Sequence, residues 1–279
     1  MRGVDGTGSG MSEGLSVAGY DIELLIQGFP GKSNENGGLG WSAVVLLRGH
    51  GRIVLVDTGS FSARKVLLKR LAQRGIAREG VTDLLLTHAH YDHMMNWTLF
   101  PNASIALGQA ELAWALQDPI EDSLCAELYV RELARSPQLR LVNPGTEILP
   151  GIECLEMPGH TPHHLVFVIE DDTARLIIAA DAVKNRAELL SAAGVSTLDA
   201  GTSARSIERI AALWREREGC VLIAGHDLPM RNERGRPAYI GTRRAGVTAW
   251  FHDEIAMPTI IHLDGNEGRA SSPAGNVST

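Results

Sequence analysis

The sequence has only three cysteines in 279 residues, at Cys125, Cys154 and Cys220. They are odd in number and far apart, and no CxxC pair occurs. The sequence therefore favours neither a disulfide framework nor a thiolate metal site. A chain without disulfides is typical of a reducing compartment. We predict three buried thiols that pack as small apolar side chains, and a cytoplasmic location.

Long apolar runs and an excess of basic residues are also missing. No segment approaches the roughly 20 apolar residues that a membrane-spanning helix needs. Residues 1–14 lack the charged and apolar regions of a secretory signal peptide. The formal net charge is −7, which argues against nucleic acid as a general partner. The sequence therefore predicts a globular protein that binds neither a membrane nor nucleic acid.

Hydrophobic patterning predicts one folded domain over residues 19–263. Residues 1–18 are expected to form a flexible leader, and residues 264–279, rich in Gly, Ser and Asn, a disordered tail. Strand-rich and helical segments recur in two halves, which predicts two packed β-sheets with helices outside. Strands are predicted at 20–26, 42–47, 52–56, 81–86, 103–107, 152–157, 165–169, 174–180 and 221–224, and helices at 62–74, 109–116, 123–133 and 203–217.

The most informative segment is Thr87-His88-Ala89-His90-Tyr91-Asp92-His93, which directly follows an apolar run. Such a run is typical of a buried strand, so the imidazoles and the carboxylate are expected on the loop at its end. Imidazole and carboxylate are ligands of zinc, iron and manganese. In an extended chain His88 and His90 point to the same side, and the following turn can direct Asp92 and His93 to a second point. The segment therefore predicts a loop that serves two adjacent metal ions.

Three further candidate ligands follow predicted strands in the C-terminal half. His160 lies in a Pro-Gly-His-Thr-Pro turn, and His226 follows an apolar strand. Asp181 closes an apolar run, where a carboxylate is costly unless it is paired or binds a metal. Each residue alone is weak evidence. The repeated placement at strand ends predicts that all three join the histidine cluster.

These motifs resemble those of the metallo-β-lactamase superfamily. DTG at 57–59, THAHYDH at 87–93, PGHTP at 158–162, AAD at 179–181 and AGH at 224–226 occur in the order found in that superfamily. The HxHxDH motif and the later Asp are similar to those of the glyoxalase II and N-acyl-homoserine lactonase branch. The resemblance implies an α/β fold, the αββα sandwich, in which two mixed sheets pack together with helices on the outer faces.

The resemblance also implies a dinuclear metal site. The implied ligands form two sets and a bridging carboxylate: His88, His90 and His160; Asp92, His93 and His226; and Asp181. The expected cofactor is a pair of divalent ions, zinc first, with iron and manganese as alternatives. Such a pair lowers the pKa of a shared water, and the hydroxide attacks a carbonyl. Asp92 would also carry a proton to the leaving group, Asp181 would share in catalysis as the bridge, and Asp57 would brace a ligand loop.

The chain departs from the family pattern beside both ligand loops. Relatives commonly have a glycine pair where Met94 and Met95 stand, so we expect a narrower or more apolar cavity floor. His163 replaces a family glycine, and both His163 and His164 are expected to make local hydrogen bonds rather than bind metal. Lys184 stands where the lactonase branch has a tyrosine. It is predicted either to orient an anionic group of the substrate as a catalytic residue or to be a solvated loop lysine.

The leading prediction is hydrolysis of a small carbonyl substrate, a lactone or another ester. Thioester hydrolysis of the glyoxalase II type is an alternative, kept open by the arginines between residues 231 and 244. Iron-dependent oxidation, as in persulfide dioxygenases, is another. The acidic charge disfavours the nuclease branch, and the complete ligand set disfavours a binding protein without catalysis.

Two segments are expected near the substrate pocket or a partner. Loop 27–40, rich in Gly, Asn and Ser, is predicted to gate the pocket, and Trp41 to line an apolar wall. Residues 230–263 are predicted to form either a flap over the site or an oligomer contact, which leaves a homodimer open.

Overall fold

A computed structural model describes residues 14–35, 37–117 and 124–264. The chain forms two compact units, one that ends at Gly241 and one that begins at Thr242. The boundary between the two units lies within residues 19–263, the range that the sequence predicts as one domain. Residues 1–13 and 265–279, which hold most of the predicted leader and tail, lie outside the described residues.

The N-terminal half contains the first of two seven-stranded sheets. Seven strands form it in the order β1-β2-β5-β6-β7-β8-β9, antiparallel from β1 to β6 and parallel from β6 to β9. Two further strands, β3 and β4, form a short hairpin. In chain order the strands are β1 (Leu15–Val17), β2 (Tyr20–Ile26), β3 (Lys32–Ser33), β4 (Gly37–Gly38), β5 (Val44–Gly49), β6 (Arg52–Val56), β7 (Asp83–Leu85), β8 (Ser104–Gly108) and β9 (Leu139–Val142).

The second sheet contains seven strands that follow one another in chain order. Its strands are β10 (Thr146–Leu149), β11 (Ile152–Glu156), β12 (Leu165–Glu170), β13 (Arg175–Ala180), β14 (Val221–Ala224), β15 (Met230–Glu233) and β16 (Arg236–Tyr239). The pair β13 and β14 is parallel, and the other neighbours are antiparallel. The helices are α1 (Arg64–Ala72), α2 (Tyr91–Met94), α3 (Gln109–Ala115), α4 (Glu127–Leu133), α5 (Arg186–Ser191) and α6 (Ala200–Arg215).

The two sheets pack face to face, and helices cover their outer faces. In β5, Val45 and Leu47 belong to the core between the sheets, which also contains Phe167 of β12. The alternate residue Leu46 of β5 belongs to the core beneath α1, α3 and α4. Trp214 of α6 belongs to a third core on the outer face of the second sheet. Burial on both faces explains the continuous apolar strands, and the predicted αββα sandwich is confirmed.

Several segments differ from the predictions. Strand β1 lies in the predicted leader, where it pairs with β2 and buries Val17. The helix predicted at 62–74 begins as a 3-10 turn at 61–63, and α1 follows it. Residue 123, where the helix predicted at 123–133 begins, lies outside the described residues. The observed helix α4 begins at Glu127 and ends at Leu133. All three cysteines are buried and free, as predicted.

The predicted flap at 230–263 is divided between the two units. Strands β15 and β16 extend the second sheet at one edge, so this part is not a flap. The second unit contains a separate hairpin of β17 (Gly246–Ala249) and β18 (Thr259–His262). No helix in the described ranges is long and apolar enough to cross a bilayer.

Asp171 connects a turn of the first sheet to a turn of the second. It follows β12, and its Oδ2 accepts a hydrogen bond of 2.6 Å from the backbone N–H of Ala18, between β1 and β2. Its Oδ1 accepts hydrogen bonds from the hydroxyl and N–H of Thr173 and from the N–H of Ala174. The Thr173 hydroxyl and these backbone groups hold the pKa of Asp171 well below its ordinary value, because they stabilise the charged form.

The variant Asp171→Asn should therefore lower the free energy of unfolding at neutral pH, since a neutral amide accepts weaker hydrogen bonds. A carboxylate with a lowered pKa stabilises the fold above the ordinary Asp pKa of about 4 and loses that contribution as the pH falls further. Urea unfolding should show a difference from the wild type that shrinks below about pH 4. Asp172→Asn removes the same charge from the exposed neighbouring residue and should unfold like the wild type. Equal effects of the two variants would contradict this role.

Candidate metal centre

All seven predicted ligands meet at one edge of the two sheets. The pairs β6–β7 and β13–β14 are parallel, and loops at the carboxyl ends of parallel strands are common places for ligand sites. All of the ligands are buried except His226, whose side chain is 13% exposed. They are His88, His90, Asp92 and His93 after β7, His160 between β11 and β12, Asp181 after β13, and His226 after β14.

The first candidate metal group consists of His88, His90 and His160, with one nitrogen from each within 4.8 Å of the others. His160 Nε2 lies 3.0 Å from His90 Nδ1, and His160 Nδ1 lies 3.1 Å from the backbone oxygen of Ser196. Because that oxygen only accepts, Nδ1 carries the proton, and Nε2 of the neutral ring directs its lone pair into the group. Burial holds the pKa of His160 well below its ordinary value, which keeps the ring neutral.

The second candidate metal group consists of Asp92, His93 and His226. His226 Nε2 lies 3.4 Å from Asp92 Oδ2. Asp181 lies between the two groups. Its Oδ1 is 3.2 Å from the Nε2 atoms of His93 and His226, and its Oδ2 is 3.2 Å from His160 Nε2. One carboxylate oxygen therefore faces each group, which is the arrangement of a ligand shared by two metals.

Unpartnered atoms inside the cluster test whether a metal fits. In the described part of the chain, His88 Nε2, His93 Nε2 and Asp181 Oδ1 are buried and make no hydrogen bond. Buried polar atoms are costly when they are left without a partner. These three residues also offer ligand atoms within 4.8 Å of one another. Imidazole nitrogen and carboxylate oxygen are donors for zinc, iron and manganese, so the residues fit divalent ions.

Asp57 fixes the orientation of the histidine loop. Its Oδ2 lies 2.7 Å from His93 Nδ1, and its Oδ1 accepts a hydrogen bond of 2.9 Å from the backbone N–H of Thr87. The Thr87 hydroxyl donates to the same carboxylate and lies 2.9 Å from His88 Nδ1. Since the hydroxyl proton is used, His88 Nδ1 is the donor in that contact and His88 Nε2 keeps its lone pair. These contacts support the bracing role expected of Asp57.

Lys184 is buried beside the cluster, with 8% of its surface exposed. Its Nζ lies 3.3 Å from Glu188 Oε1, yet among the described residues it makes no hydrogen bond. The Glu188 carboxylate accepts hydrogen bonds from the backbone N–H groups of Lys184 and Val195, at 2.7 and 2.9 Å. Lys184 also lines the cavity above the cluster. The interpretation as a solvated loop lysine is therefore wrong.

Two expectations about neighbouring residues are also wrong. Met94 is fully buried in the core beneath the helices, and Met95 packs against the same core. Neither methionine lines the cavity, because the single turn of α2 directs Asp92 and His93 toward the cluster and Met94 away from it. His164 stands 4.6 Å from His88 between ring centroids, but neither of its ring nitrogens has a hydrogen-bond partner in the described ranges. The His164 ring therefore lies against the His88 and His160 rings instead of making local hydrogen bonds.

His163 behaves as the sequence predicts. Its Nδ1 lies 2.8 Å from Glu156 Oε1, and both side chains are more than a third exposed. The two adjacent histidines thus have opposite environments, and His163 stays outside the cluster.

A cavity of about 470 Å³ opens onto the cluster. Part of its wall comes from the predicted gate, loop 27–40, which includes β3 and β4. Trp41 does not line the cavity, because its ring stacks on Phe29 at 4.8 Å between centroids, and the prediction for Trp41 is wrong. The lining residues are Pro30, Gly31, Lys32, Ser33, Gly37, Gly38, Gly40, His90, Tyr91, Asp92, Leu124, His160, Asp181, Lys184, Asn185, Val195, Ser196 and His226.

Glu111 is a buried carboxyl that the sequence analysis missed. It lies on α3 with no exposed surface. Its Oε1 accepts a hydrogen bond of 3.0 Å from the backbone N–H of Ala89, and its Oε2 one of 2.9 Å from the Thr161 hydroxyl. Burial raises the pKa of Glu111 to about 7. The available signal was its place on the apolar face of α3, four residues before the buried Ala115.

Comparison with known proteins gives an assignment independent of the geometry. The sequence model of the Metallo-beta-lactamase superfamily matches residues 37–226, more than half of the chain. The chain is 29% identical over 180 residues to Metallo-beta-lactamase domain-containing protein 1 of Mus musculus, and the match covers 64% of this chain and 60% of that protein. It is 25% identical over 171 residues to an N-acyl homoserine lactonase of Bacillus sp, with coverage of 61% and 63%.

Two further likenesses extend over more of the chain. A hydroxyacylglutathione hydrolase of Pseudomonas syringae pv. syringae (strain B728a) is 27% identical over 217 residues, with coverage of 75% of this chain and 73% of that protein. The solved structure of AidC, a dizinc quorum-quenching lactonase in complex with a product, matches with a TM-score of 0.66 at 18% identity, covering 84% of this chain and 98% of that chain. At that identity the likeness establishes the fold.

The matched parts of the relatives limit what can be transferred from them. The chain spans only 60% and 63% of the lengths of the Mus musculus and Bacillus proteins. The family match itself includes strands of both sheets and all seven candidate ligands, from His88 to His226. This protein therefore belongs to the metallo-β-lactamase superfamily.

Proposed function

We propose that this protein is a metal-dependent hydrolase that binds two divalent ions per chain, with zinc as the leading candidate. Its proposed substrates are small lactones or other esters, which it hydrolyses. The observation that carries the proposal is the position of Asp181, with one carboxylate oxygen toward each of two ligand groups. The residues that would hold the ions are His88, His90 and His160 for the first, Asp92, His93 and His226 for the second, and Asp181 for both.

The residues of the chain have separable roles in such a reaction. Two bound divalent ions supply a water of lowered pKa and polarise the substrate carbonyl. Asp92 lines the cavity, where its carboxylate can hold a proton and deliver it to the leaving oxygen. The Lys184 ammonium would donate a hydrogen bond to a substrate oxygen and so orient the acyl group. Asp57 would keep the His93 ring in its ligating orientation through the 2.7 Å contact.

The cavity and the relatives support an acyl substrate. A volume of about 470 Å³ suits a small molecule. Two of the relatives are named as an N-acyl homoserine lactonase and a hydroxyacylglutathione hydrolase. Apart from the ligand residues, the wall of the cavity is formed largely by glycines and by apolar side chains such as Leu124 and Val195. Neutral acyl chains fit such a wall.

Thioester hydrolysis of the glyoxalase II type is the second candidate, because of the likeness to hydroxyacylglutathione hydrolase. Three arginines of the basic segment that favoured it, Arg231, Arg234 and Arg236, belong to the first unit and do not line the cavity. Among the lining residues that the structure describes, Lys32 and Lys184 are the only lysines or arginines. This placement favours lactones and esters over a glutathione thioester.

Elemental analysis of the purified protein, beside assays with lactones, aryl esters and S-lactoylglutathione, tests the proposal. About two zinc ions per chain with lactone or ester turnover is the expected result. Faster hydrolysis of S-lactoylglutathione than of every ester would move the assignment to the thioester candidate. One iron per chain without hydrolysis of any panel member would overturn the proposal in favour of oxidative chemistry.

Removal of a ligand should lower both metal content and turnover. His90→Ala deletes a nitrogen of the first group, and Asp181→Ala deletes the carboxylate shared by both groups. Each variant should contain fewer than two metal ions per chain and show only background hydrolysis, because the ions and the reacting water lose their position. His163→Ala, which removes a histidine that bonds to Glu156 outside the cluster, should keep wild-type values. Full metal content and full activity in either ligand variant would refute the dinuclear mechanism.

Removal of the buried Lys184 ammonium should lower the catalytic efficiency without lowering the metal content. A hydrogen bond from a charged donor contributes about 1.5–3 kcal/mol, so Lys184→Ala should lower kcat/KM by about 10- to 100-fold. Metal content should stay at the wild-type level, since Lys184 is not among the groups of candidate ligands. Lys65→Ala on the exposed face of α1 provides a control with the same loss of charge. Unchanged kcat and KM in Lys184→Ala would remove Lys184 from the reaction.

A further inference from the structure

Glu111 contacts two loops that come from different sheets. Ala89 lies between His88 and His90, on the loop that follows β7 of the first sheet. Thr161 lies directly after His160, in the turn between β11 and β12 of the second sheet. The two oxygens of the Glu111 carboxylate accept one hydrogen bond from each loop, at 3.0 and 2.9 Å.

We infer that Glu111 is a positioning residue for the first candidate metal group. It acts as a clamp, which fixes the two loops of that group relative to each other by one hydrogen bond to each and thereby sets the metal affinity of the group. The inference rests on the proposed function, because it concerns the same metal centre. Glu111 does not line the cavity and has no exposed surface. It therefore acts through the ligands and not on the substrate.

The bond to Ala89 fixes the peptide that separates two ligands. The N–H of Ala89 donates to Glu111, and its backbone oxygen accepts a hydrogen bond of 3.2 Å from the N–H of Ala126. The backbone N–H and the backbone oxygen of Ala89 are thus both fixed by hydrogen bonds. Because His88 and His90 flank Ala89, a rotation of this stretch of backbone would swing both imidazoles away from His160.

The bond to Thr161 fixes the other loop in the same way. Thr161 is fully buried, and its backbone oxygen accepts a hydrogen bond of 2.9 Å from the N–H of Gly159. This backbone bond closes the turn that presents His160, and Thr197, Leu198 and Asp199 also donate hydrogen bonds to its backbone oxygens. The side-chain bond to Glu111 connects this turn to the histidine loop of the first sheet.

A carboxylate satisfies both of these partners. Both the Ala89 N–H and the Thr161 hydroxyl donate to it, and a carboxylate has two accepting oxygens. A glutamine in the same place would keep both contacts, because its oxygen accepts from the Ala89 N–H and its NH2 group donates to the Thr161 hydroxyl, which can also accept. A methionine of similar length would keep neither. Burial of a charged group is costly, and the two hydrogen bonds offset part of that cost. The hydrogen bonds of Glu111 to the two loops therefore explain why an acidic residue is buried at this position, away from the cavity.

The test is the affinity of each of the two metal positions for Zn²⁺ in the full chain. Stepwise dissociation constants from chelator competition should show, in Glu111→Met, one ion bound about 10- to 100-fold more weakly than in the wild type, the usual effect of losing a partner that orients a ligand. Glu111→Gln, which keeps both contacts, should bind both ions like the wild type. The other ion should keep its affinity. The absorption spectrum of the Co²⁺-loaded protein should change in the contribution of one site.

Two further variants separate a clamp from a general loss of stability. Thr161→Val removes one donor while keeping the shape, and should weaken the same ion. Its effect and that of Glu111→Met should not add in the double variant, because Glu111→Met already removes the hydrogen bond from Thr161. Leu112→Ala removes a buried apolar neighbour on α3 and should lower thermal stability while leaving both Zn²⁺ dissociation constants unchanged.

The outcomes distinguish this inference from the proposed function. Two Zn²⁺ ions bound by Glu111→Met with wild-type affinities would overturn the clamp. Equal weakening of both ions, matched by Leu112→Ala, would also overturn it. If the wild type binds both ions and Glu111→Met loses one, the clamp stands even when no panel substrate is hydrolysed. A wild type that binds neither Zn²⁺ nor Co²⁺ would overturn both.

Discussion

Imidazoles and carboxylates are buried together in one cluster, and this burial determines how the surrounding loops and sheets must be arranged. Asp181 has both of its oxygens 3.2 Å from histidine nitrogens, and its Oδ1 makes no hydrogen bond in the described part of the chain. Burial alone would raise the pKa of Asp181, but His226, His93 and His160 hold it well below its ordinary value. Such a cluster is tolerated inside a protein when cations occupy it. The seven groups are therefore explained by metal binding better than by packing.

The αββα sandwich supplies the geometry that this cluster needs. Each sheet contributes ligands from the loops at its strand ends, so neither sheet alone could form the two groups. The ligands are then oriented by polar contacts behind them. Asp57 holds His93, the Ser196 backbone oxygen holds His160, and Glu111 connects the two loops. The apolar core between the sheets keeps these loops at a fixed separation.

Sequence reasoning found the residues of the cluster because each one is marked locally, by an apolar strand followed by a polar turn. The αββα architecture was accessible for the same reason, since the buried strands are continuous apolar runs. The environments of Glu111, Lys184 and His164 depend on residues 4 to 76 positions away in the chain, and no local pattern reports such contacts. Strand β1 was missed because three residues carry little periodicity, and pairing with β2 decides their conformation.

Anomalous diffraction at the zinc absorption edge, from crystals of the zinc-loaded protein, tests directly whether the cluster binds two metal ions. Two anomalous peaks per chain are expected. One should lie among His88, His90 and His160, the other among Asp92, His93 and His226, with Asp181 in contact with both. A single peak, or peaks outside these residues, would contradict the binding of two metal ions by this cluster.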